Sequence, residues 1–171
     1  MKPDGIPAIS ALWTENLEQL AADSSVAWQV LEVDNAAYQL IANPRKLDIL
    51  VAPNMFGDVL SDAASLLLGS RGLSFSGNFG AERRAVYQTG HGAASDLAGL
   101  DRVNPVGQIF SLAMMLRESF GWRREAAAIE SAAATVLGQG WRTPDIAAAT
   151  SRVIGTRELG TRISDAVADL L

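Results

Sequence analysis

The chain has 171 residues, with 14 Lys and Arg against 19 Asp and Glu, and a formal net charge of −5. Since 49% of the residues are apolar and 19% are charged, the composition excludes a disordered chain and predicts a globular protein with a real core. The absence of Cys excludes disulfides, thiolate metal sites and a cysteine nucleophile.

The charge and the apolar stretches also restrict the partners. Nucleic-acid-binding domains usually concentrate Lys and Arg on one face, and here these residues are scattered. The apolar stretches are interrupted within about ten residues, short of the roughly 20 that a membrane-spanning helix needs. Residues 1–5 lack the charged-then-apolar order of a signal peptide. We therefore expect a cytoplasmic protein that binds neither nucleic acid nor membrane.

The predicted elements begin with a helix over residues 10–22, where apolar residues recur at helical spacing after a capping Ser10. Residues 26–33 alternate apolar and polar side chains and predict a strand. Residues 35–42 predict a short helix that ends before Pro44, because a residue that precedes proline is disfavoured in helical conformation.

The middle of the chain predicts a strand followed by a helix. Residues 47–52 form a short apolar run, typical of a buried strand. Residues 56–68 predict a helix that is apolar on more than one face, as in a core or an oligomer interface. Residues 69–108 are rich in glycine and predict functional loops.

Helices return in the last third of the chain. Residues 106–118 and 123–137 are rich in Ala, Leu and Met at helical spacing. Thr143 and Pro144 are typical of a helix start, and residues 154–171 predict a final helix.

The first segment that can carry chemistry contains two acids near the predicted start of the helix at residues 56–68. Asp58 and Asp62 are four residues apart, so their carboxylates lie on one face and repel each other unless a cation lies between them. Such oxygen ligands suit Mg²⁺ or Mn²⁺. The alternative is a solvated helix start whose acids complement the helix dipole.

The second segment is the glycine-containing loop over residues 91–104. Glycines allow a close approach of the backbone to a ligand, and small residues leave room for a flat group such as adenine. Asp96 could accept the hydroxyls of a ribose and would repel a 2′-phosphate. His91 has a structural alternative as a simple hydrogen-bonding residue. Lys2 and Asp34, taken singly, are typical of a mobile terminus and a turn.

Together and in order, these segments resemble the β-decarboxylating dehydrogenases, which include isopropylmalate, isocitrate, and tartrate or D-malate dehydrogenases. The resemblance rests on two motifs, Asn54-x-Phe56-Gly57-Asp58-x-Leu60-Ser61-Asp62 and His91-Gly92-x-Ala94-x-Asp96-x-Ala98-Gly99 with Asn104-Pro105. It implies an α/β, isopropylmalate-dehydrogenase-like two-lobed fold, of which this is the C-terminal half with a helical dimerisation region. Residues 1–75 would belong to the small, dimerising lobe and residues 76–171 to the nucleotide-binding lobe.

The resemblance also implies a reaction and a metal site. The family oxidises a 2-hydroxy acid with NAD(P)⁺ and decarboxylates it with the help of a divalent metal. By resemblance, Asp58 and Asp62 are ligands of Mg²⁺ or Mn²⁺ in one subunit, and Asp34 reaches the same metal from the neighbouring subunit. Lys2 matches the catalytic lysine, which handles the hydroxyl proton across the dimer.

For the cofactor, the resemblance implies that the loop at 91–104 wraps the adenosine half of NAD. His91 would lie near the adenine, Asp96 on the ribose and Asn104 on the adenine edge, while Gly92 and Ala94 occupy the small positions of the motif. An acid at position 96 favours NAD over NADP. The chain departs from the family just before this loop, where Gln88-Thr89-Gly90 replaces the usual Glu-Pro-Val.

Two functions follow from the resemblance. The chain is the C-terminal half of an NAD- and Mg-dependent oxidative decarboxylase of a 2-hydroxy diacid, of the isopropylmalate, malate or tartrate type. Alternatively, it is a catalytically incomplete homologue that acts as a dimerising or regulatory subunit, or a remnant without specific activity. The expected partners are a second copy, a missing N-terminal half or a full-length homologue. Since the family's first half supplies strands to both lobes, we expect this chain to complete neither central sheet alone.

Overall fold

The computed structural model describes residues 6–22 and 24–171, which form two compact units. The first unit ends at Ala64 and the second is Ser65–Leu171. In the described residues, no helix combines the length and the apolar character needed to cross a membrane.

The first unit contains three helices: α1 (Pro7–Ala22), α2 (Val33–Ala42) and α3 (Asn54–Ser65), whose last residue belongs to the second unit. All three confirm predicted helices. Helix α1 begins at a proline, whose fixed φ suits a first turn, so Ser10 lies inside the helix and the predicted capping role is wrong. A 3₁₀ turn at Pro44–Lys46 follows α2.

The core of the first unit is small. Among the described residues, α2 and α3 meet through the buried side chains of Ala36, Leu40 and Leu60. Helix α1 contributes no buried residue, although it carries the apolar spacing of an amphipathic helix. Packing between two short helices therefore provides most of what this unit buries.

The two strands predicted in the first unit are wrong. Residues 26–31 and 47–52 form no strand, and Ile49 and Val51 are 84% and 69% exposed instead of buried. A strand requires a hydrogen-bonded neighbour, and the described chain supplies none beside either segment. The sequence pattern is that of a strand, but the pattern alone cannot supply the partner.

The second unit is built around three helices: α4 (Val106–Glu118), α5 (Arg123–Gly138) and α6 (Thr156–Ala168). They confirm the helices predicted for the last third of the chain. Thr143 precedes a 3₁₀ turn at Pro144–Ile146 instead of an α-helix. Six residues from these helices form the buried core, namely Val106, Ala132, Ala133, Val136, Leu159 and Ile163.

A β-hairpin packs on α4 where loops were predicted. Strands β1 (Phe75–Phe79) and β2 (Ala85–Thr89) pair antiparallel, with Phe75 opposite Thr89. The ring of Phe75 meets Phe110 of α4 edge-on at 5.5 Å. The hydroxyl of Ser111 donates to the carbonyl of Gln88 at 2.8 Å, which holds the hairpin on the helix.

The sheets are minimal. Besides the hairpin, Trp141–Arg142 (β3) and Arg152–Val153 (β4) form a short parallel pair. Both sheets in the described part of the chain therefore have two strands. This agrees with the expectation that the chain by itself completes neither central sheet of the two-lobed fold.

Candidate functional site

Helix α3 presents the predicted acid pair on its surface. The helix begins at Asn54, and Asp58 and Asp62 follow on successive turns with both side chains exposed. The side-chain amide of Asn54 donates to a carboxylate oxygen of Asp58 at 3.2 Å. Two hard oxygen donors on one accessible helix face fit a divalent cation that keeps water or substrate as its other ligands.

Asp34 lies in the first turn of α2 and is exposed. Its carboxylate accepts a hydrogen bond from the amide of Asn35 at 2.8 Å. Within residues 6–22 and 24–171 of one chain, no three acids or histidines come close enough to bind one metal ion. The resemblance assigns Asp34 to a metal of the neighbouring subunit, so the complete ligand set stays a prediction. The predicted catalytic Lys2 lies outside the described residues.

The loop at residues 91–104 has an unusual backbone. Ala94 and Asp101 adopt left-handed φ angles of 45° and 52°, and Gly99 adopts 78°. Left-handed conformations cost energy for residues other than glycine and cluster at functional sites. His91 and Gly92 are exposed, with the Nδ1 atom of the histidine 2.8 Å from the carbonyl oxygen of the glycine. Asp96 is exposed on a 3₁₀ turn, Ser95–Leu97.

A cavity of about 370 Å³ lies against this loop. Small and apolar side chains form most of its wall; they are Ala93, Ala94, Leu97, Ala98, Gly99 and Val103. Asp101, Thr156 and Arg157 complete the wall. Of the predicted cofactor residues, Ala94 lines the cavity, whereas His91, Gly92, Asp96 and Asn104 lie outside its wall.

Asp101 connects the loop to α6 and was not recognised in the sequence. Its carboxylate accepts from the amide of Arg157 at 2.9 Å, and its carbonyl accepts from the amide of Thr156 at 3.1 Å. The hydroxyl of Thr156 donates to the carbonyl of Val103 at 2.5 Å. An acid at a helix N-terminus is favoured by the helix dipole. No local signal could have revealed this contact, because the two sides are far apart in the chain.

Asn104 has a structural role in this arrangement. The side chain is buried, its oxygen accepts from the amide of Val106 at 3.0 Å, and its amide donates to a carboxylate oxygen of Asp145 at 3.3 Å. It therefore accepts from the first amide of α4 and connects the loop to the 3₁₀ turn at Pro144–Ile146. Since both ends of the side chain are engaged, contact with an adenine would involve its main chain. That contact stays a prediction.

The two motifs and the partial α/β fold match one enzyme family. A family model described as isocitrate/isopropylmalate dehydrogenase matches residues 4–163. The chain therefore belongs to the isocitrate/isopropylmalate dehydrogenase family, and the resemblance seen in the sequence is confirmed.

Three relatives define the extent of the match. The chain is 45% identical to 3-isopropylmalate dehydrogenase of Geobacillus kaustophilus over 94% of its own length and 43% of the relative. It matches the crystal structure of isocitrate dehydrogenase from Methylococcus capsulatus with a TM-score of 0.89 and 33% identity, over 97% of this chain and 48% of that one. A β-decarboxylating dehydrogenase from Thermococcus kodakarensis, in its apo form, matches with a TM-score of 0.77 and 30% identity, over 93% and 46%. The chain thus spans about half the length of these relatives.

Proposed function

We propose that this chain is the C-terminal half of an NAD- and Mg²⁺-dependent enzyme that oxidises and decarboxylates a 2-hydroxy diacid, of the isopropylmalate, malate or tartrate type. The observation that carries the proposal is the pair Asp58 and Asp62, exposed on successive turns of α3. The identity of 45% to a 3-isopropylmalate dehydrogenase supports the isopropylmalate type as the first substrate to test.

Each acid of the metal site has a distinct task in this proposal. Asp58 and Asp62 would hold Mg²⁺ or Mn²⁺ from one subunit, and Asp34 would reach it from the next. When bound, the metal supplies positive charge that favours loss of the substrate's hydroxyl proton and stabilises the enolate that remains after CO₂ leaves. Lys2 would accept or relay the hydroxyl proton, the role of a general base.

The loop at residues 91–104 would bind the adenosine half of NAD. The small side chains of Ala93, Ala94 and Ala98 leave a cavity next to the loop, which supports an aromatic ring as its ligand. Asp96 is exposed, so its carboxylate is available to the ribose hydroxyls and would disfavour a 2′-phosphate.

The expected assembly is a cytoplasmic homodimer or a complex with the other half of the fold. Residues 1–75 would belong to the small, dimerising lobe and residues 76–171 to the nucleotide-binding lobe. The dimer would be isologous and would use the region of α3, where Met55, Val59 and Leu66 are each more than 60% exposed.

A second candidate function is a dimerising or regulatory subunit without turnover. The observation that favours it is the length of the match, because the chain spans 43% of the Geobacillus kaustophilus enzyme. In this case the chain would bind NAD or metal, or a full-length homologue, and would not catalyse the reaction.

One assay separates the two functions. The protein is mixed with NAD⁺, Mg²⁺ and a panel of 2-hydroxy diacids, with and without the polypeptide that supplies the other half of the fold, and NADH is followed by absorbance. NADH formation in either mixture supports the enzyme. Binding of NAD⁺ or Mg²⁺ without turnover in both mixtures supports the regulatory subunit and contradicts the enzyme.

The metal assignment has its own test, independent of turnover. We expect Mg²⁺ to raise the melting temperature of the wild-type protein, and we expect Asp58→Asn or Asp62→Asn to abolish that shift. Asp48→Asn is the matched control, because Asp48 is also an exposed acid of the first unit. A Mg²⁺-dependent shift that persists in both helix variants would contradict the assignment of Asp58 and Asp62 as metal ligands.

A further inference from the structure

The loop at residues 91–104 is attached to the rest of the second unit near its two ends. Just before the loop, the amide of Gly90 donates to the carbonyl of Ser74 at 3.0 Å. Within the part of the chain that the structure describes, residues 91–100 form hydrogen bonds only with each other. Asp101 is the next residue, and it bonds to the start of α6. The position of the loop therefore depends on the contacts at its ends, including that of Asp101.

Helix α6 begins without a capping side chain from its own segment. The residue before the helix, Gly155, has no side chain, and the first amides of any helix lack an acceptor within the helix. The carboxylate of Asp101 accepts from the amide of Arg157 at 2.9 Å, and its carbonyl accepts from the amide of Thr156 at 3.1 Å. Asp101 thus provides the acceptors that a capping residue would provide, although it lies 56 residues before Arg157.

The start of α6 is joined to the core of the second unit. Leu159, three residues after Thr156, is completely buried, and Ile163 one turn further along is buried in the same core. Because protein interiors are close-packed, side chains buried in this way hold the first turns of the helix in place. Asp101 therefore attaches the loop to the core, although Asp101 itself is exposed.

The contact between Asp101 and α6 is close on both sides. Asp101 adopts a left-handed φ of 52°, which aspartate tolerates better than most residues because of its short polar side chain. A Cβ atom at Gly155 would overlap the carboxylate of Asp101 and would lie 2.8 Å from its Cγ atom and from its main-chain oxygen. The φ of Gly155 is −79°, so the close approach, not the backbone conformation, requires glycine there. The contact can therefore be broken from either side.

The same contact determines the width of the cavity of about 370 Å³. Ala94 and Ala98 of the loop line this cavity, and so do Thr156 and Arg157 of α6. Because Asp101 also lines it and bonds to both α6 residues, it sets the distance between the loop and the helix on either side of the cavity. Without this contact, the loop could move away from α6 and the cavity would lose its shape.

We propose that Asp101 is a positioning residue for the adenosine half of NAD, because it holds the loop at residues 91–104 in place before the ligand binds. This inference rests on the proposed function, since it takes the loop to be the cofactor-binding segment. A loop that is already ordered loses less conformational freedom on binding, so the ligand binds more tightly. Asp101 acts through the position of the loop.

The test is calorimetric titration of the intact chain with NAD⁺ and with ADP-ribose, which contains the adenosine half without the nicotinamide. Asp101→Ala and Asp101→Gly should weaken the binding of both ligands by about fivefold, since each removes the acceptor for the amide of Arg157. Glycine also relieves the left-handed φ, so it separates the effect of the side chain from that of the backbone. Asp101→Asn keeps an acceptor oxygen at the same place and should stay within about twofold of wild type.

A second variant breaks the contact from the side of α6. Gly155→Ala places a Cβ atom against the carboxylate of Asp101 and should also weaken ADP-ribose binding by about fivefold. Because both changes disrupt one contact, Asp101→Ala combined with Gly155→Ala should bind about as weakly as either single variant. Asp165→Ala is the matched control, since Asp165 is an exposed acid further along α6, and it should bind like wild type.

Hydrogen exchange of the free chain measures the position of the loop directly. In Asp101→Ala the amide of Arg157 loses its acceptor, and residues 94–101 lose their attachment to α6. The amides of both should exchange at least about threefold faster than in wild type. Ala132 and Val136 lie in the core of the second unit, so the exchange of their amides should not change.

Each outcome supports or overturns the inference. Wild-type affinity in Asp101→Ala and Asp101→Gly would overturn it and leave the proposed cofactor site standing. Equal weakening in Asp101→Asn or in Asp165→Ala would also overturn it, because charge and not the contact would then matter. No binding of either ligand to the wild-type chain would contradict both the inference and the proposed cofactor site. Weakened binding that Asp101→Asn restores, in a protein that forms no NADH, would support the inference and contradict the proposed activity.

Discussion

The two units of the molecule use similar apolar patterns with different results. In the second unit, α4, α5 and α6 bury a contiguous core in which Leu159 and Val106 are completely inaccessible to solvent. In the first unit, α1 buries no residue, and Leu20 on this helix is 74% exposed. The two units differ in the segments available to pack against these faces. The periodicity of apolar residues determines which face of a helix or strand must be buried, but other segments have to bury it.

The same contrast explains why a hairpin forms in a segment for which loops were predicted. The hairpin of β1 and β2 in the second unit is ordered because α4 covers one of its faces, through the Phe75–Phe110 contact and the hydrogen bond between Ser111 and Gln88. In the first unit, residues 47–52 have a stronger strand sequence and no such cover. A two-stranded hairpin on a helix can persist, whereas an isolated strand cannot.

The largest expected effect tests the core of the second unit. Leu159→Ala should lower the free energy of unfolding by about 2–5 kcal/mol, because it removes a completely buried side chain and leaves a cavity. The measurement is urea unfolding followed by circular dichroism. Leu20→Ala, the same change at an exposed site of α1, should stay within about 0.5 kcal/mol of wild type. Equal losses of unfolding free energy in both variants would contradict the difference in burial between the two units.

A second substitution tests how closely α4 packs on the hairpin side of the second unit. A Cβ atom at Gly107 would lie 2.6 Å from the carbonyl oxygen of Ser74 and 2.8 Å from that of Gly72. Because main-chain atoms cannot move aside cheaply, Gly107→Ala should destabilise the protein by about 1–3 kcal/mol.

The control for this substitution has the opposite expected sign. Gly160 lies within α6, and a Cβ atom added there meets nothing within 4 Å. Gly160→Ala should therefore stabilise the protein by about 0.5–1 kcal/mol, since alanine restricts the unfolded chain and favours the helix. Thermal unfolding of the Gly107→Ala and Gly160→Ala variants measures the two effects. If both variants lost stability, the loss at Gly107 could not be attributed to the close packing of α4.

A smaller effect is expected from the side chain of Asn104, which joins the loop at residues 91–104 to the first amide of α4. Asn104→Ala removes the acceptor for the amide of Val106 and the donor to Asp145, and should cost about 1–2 kcal/mol. Asn78→Ala, at an exposed position of β1, should change stability by less than about 0.5 kcal/mol. Chemical unfolding of both variants is the measurement. If the Asn104→Ala variant were as stable as the wild type, the hydrogen bonds of Asn104 would have no structural role.

The smallest expected effect concerns the surface of the second unit. Arg117 of α4 contacts Glu130 of α5 at 2.5 Å, and the hydrogen bond to Glu130 raises the pKa of Arg117 above its ordinary value. Since both side chains remain partly accessible to solvent, Arg117→Gln should cost only about 0.5 kcal/mol, and less at high salt. The control Arg84→Gln removes the more exposed pair with Glu82 and should have no measurable effect. A salt-independent loss in Arg117→Gln would indicate that packing, not charge, is involved.

The helices of this chain could be predicted from sequence because their signals are local. Helix α4 begins at Val106 and α5 at Arg123, both as the periodicity predicted. The strands could not be predicted in the same way. The hairpin lies in a glycine-rich segment with little strand character, and the apolar run at residues 47–52 has strand character but no partner in the chain.

The residues of the candidate site also differ in whether a local sequence pattern reveals them. Asp58 and Asp62 could be identified because both lie on one helix at a spacing that places them together. The contact of Asp101 with the start of α6 could not, because it joins segments far apart in sequence. The proposed metal site has the same difficulty, since Asp34 would join it from another subunit.

The sequence by itself determined the family, the helices and the acid pair on α3, because each depends on residues close together in the chain. Only the tertiary structure decided which apolar residues are covered, that Asn104 bonds to both Val106 and Asp145, and that Asp101 holds the loop against α6. Burial and long-range hydrogen bonds depend on which segments meet. In the second unit those segments are present, and at residues 47–52 of the first unit the described chain contains no neighbouring strand.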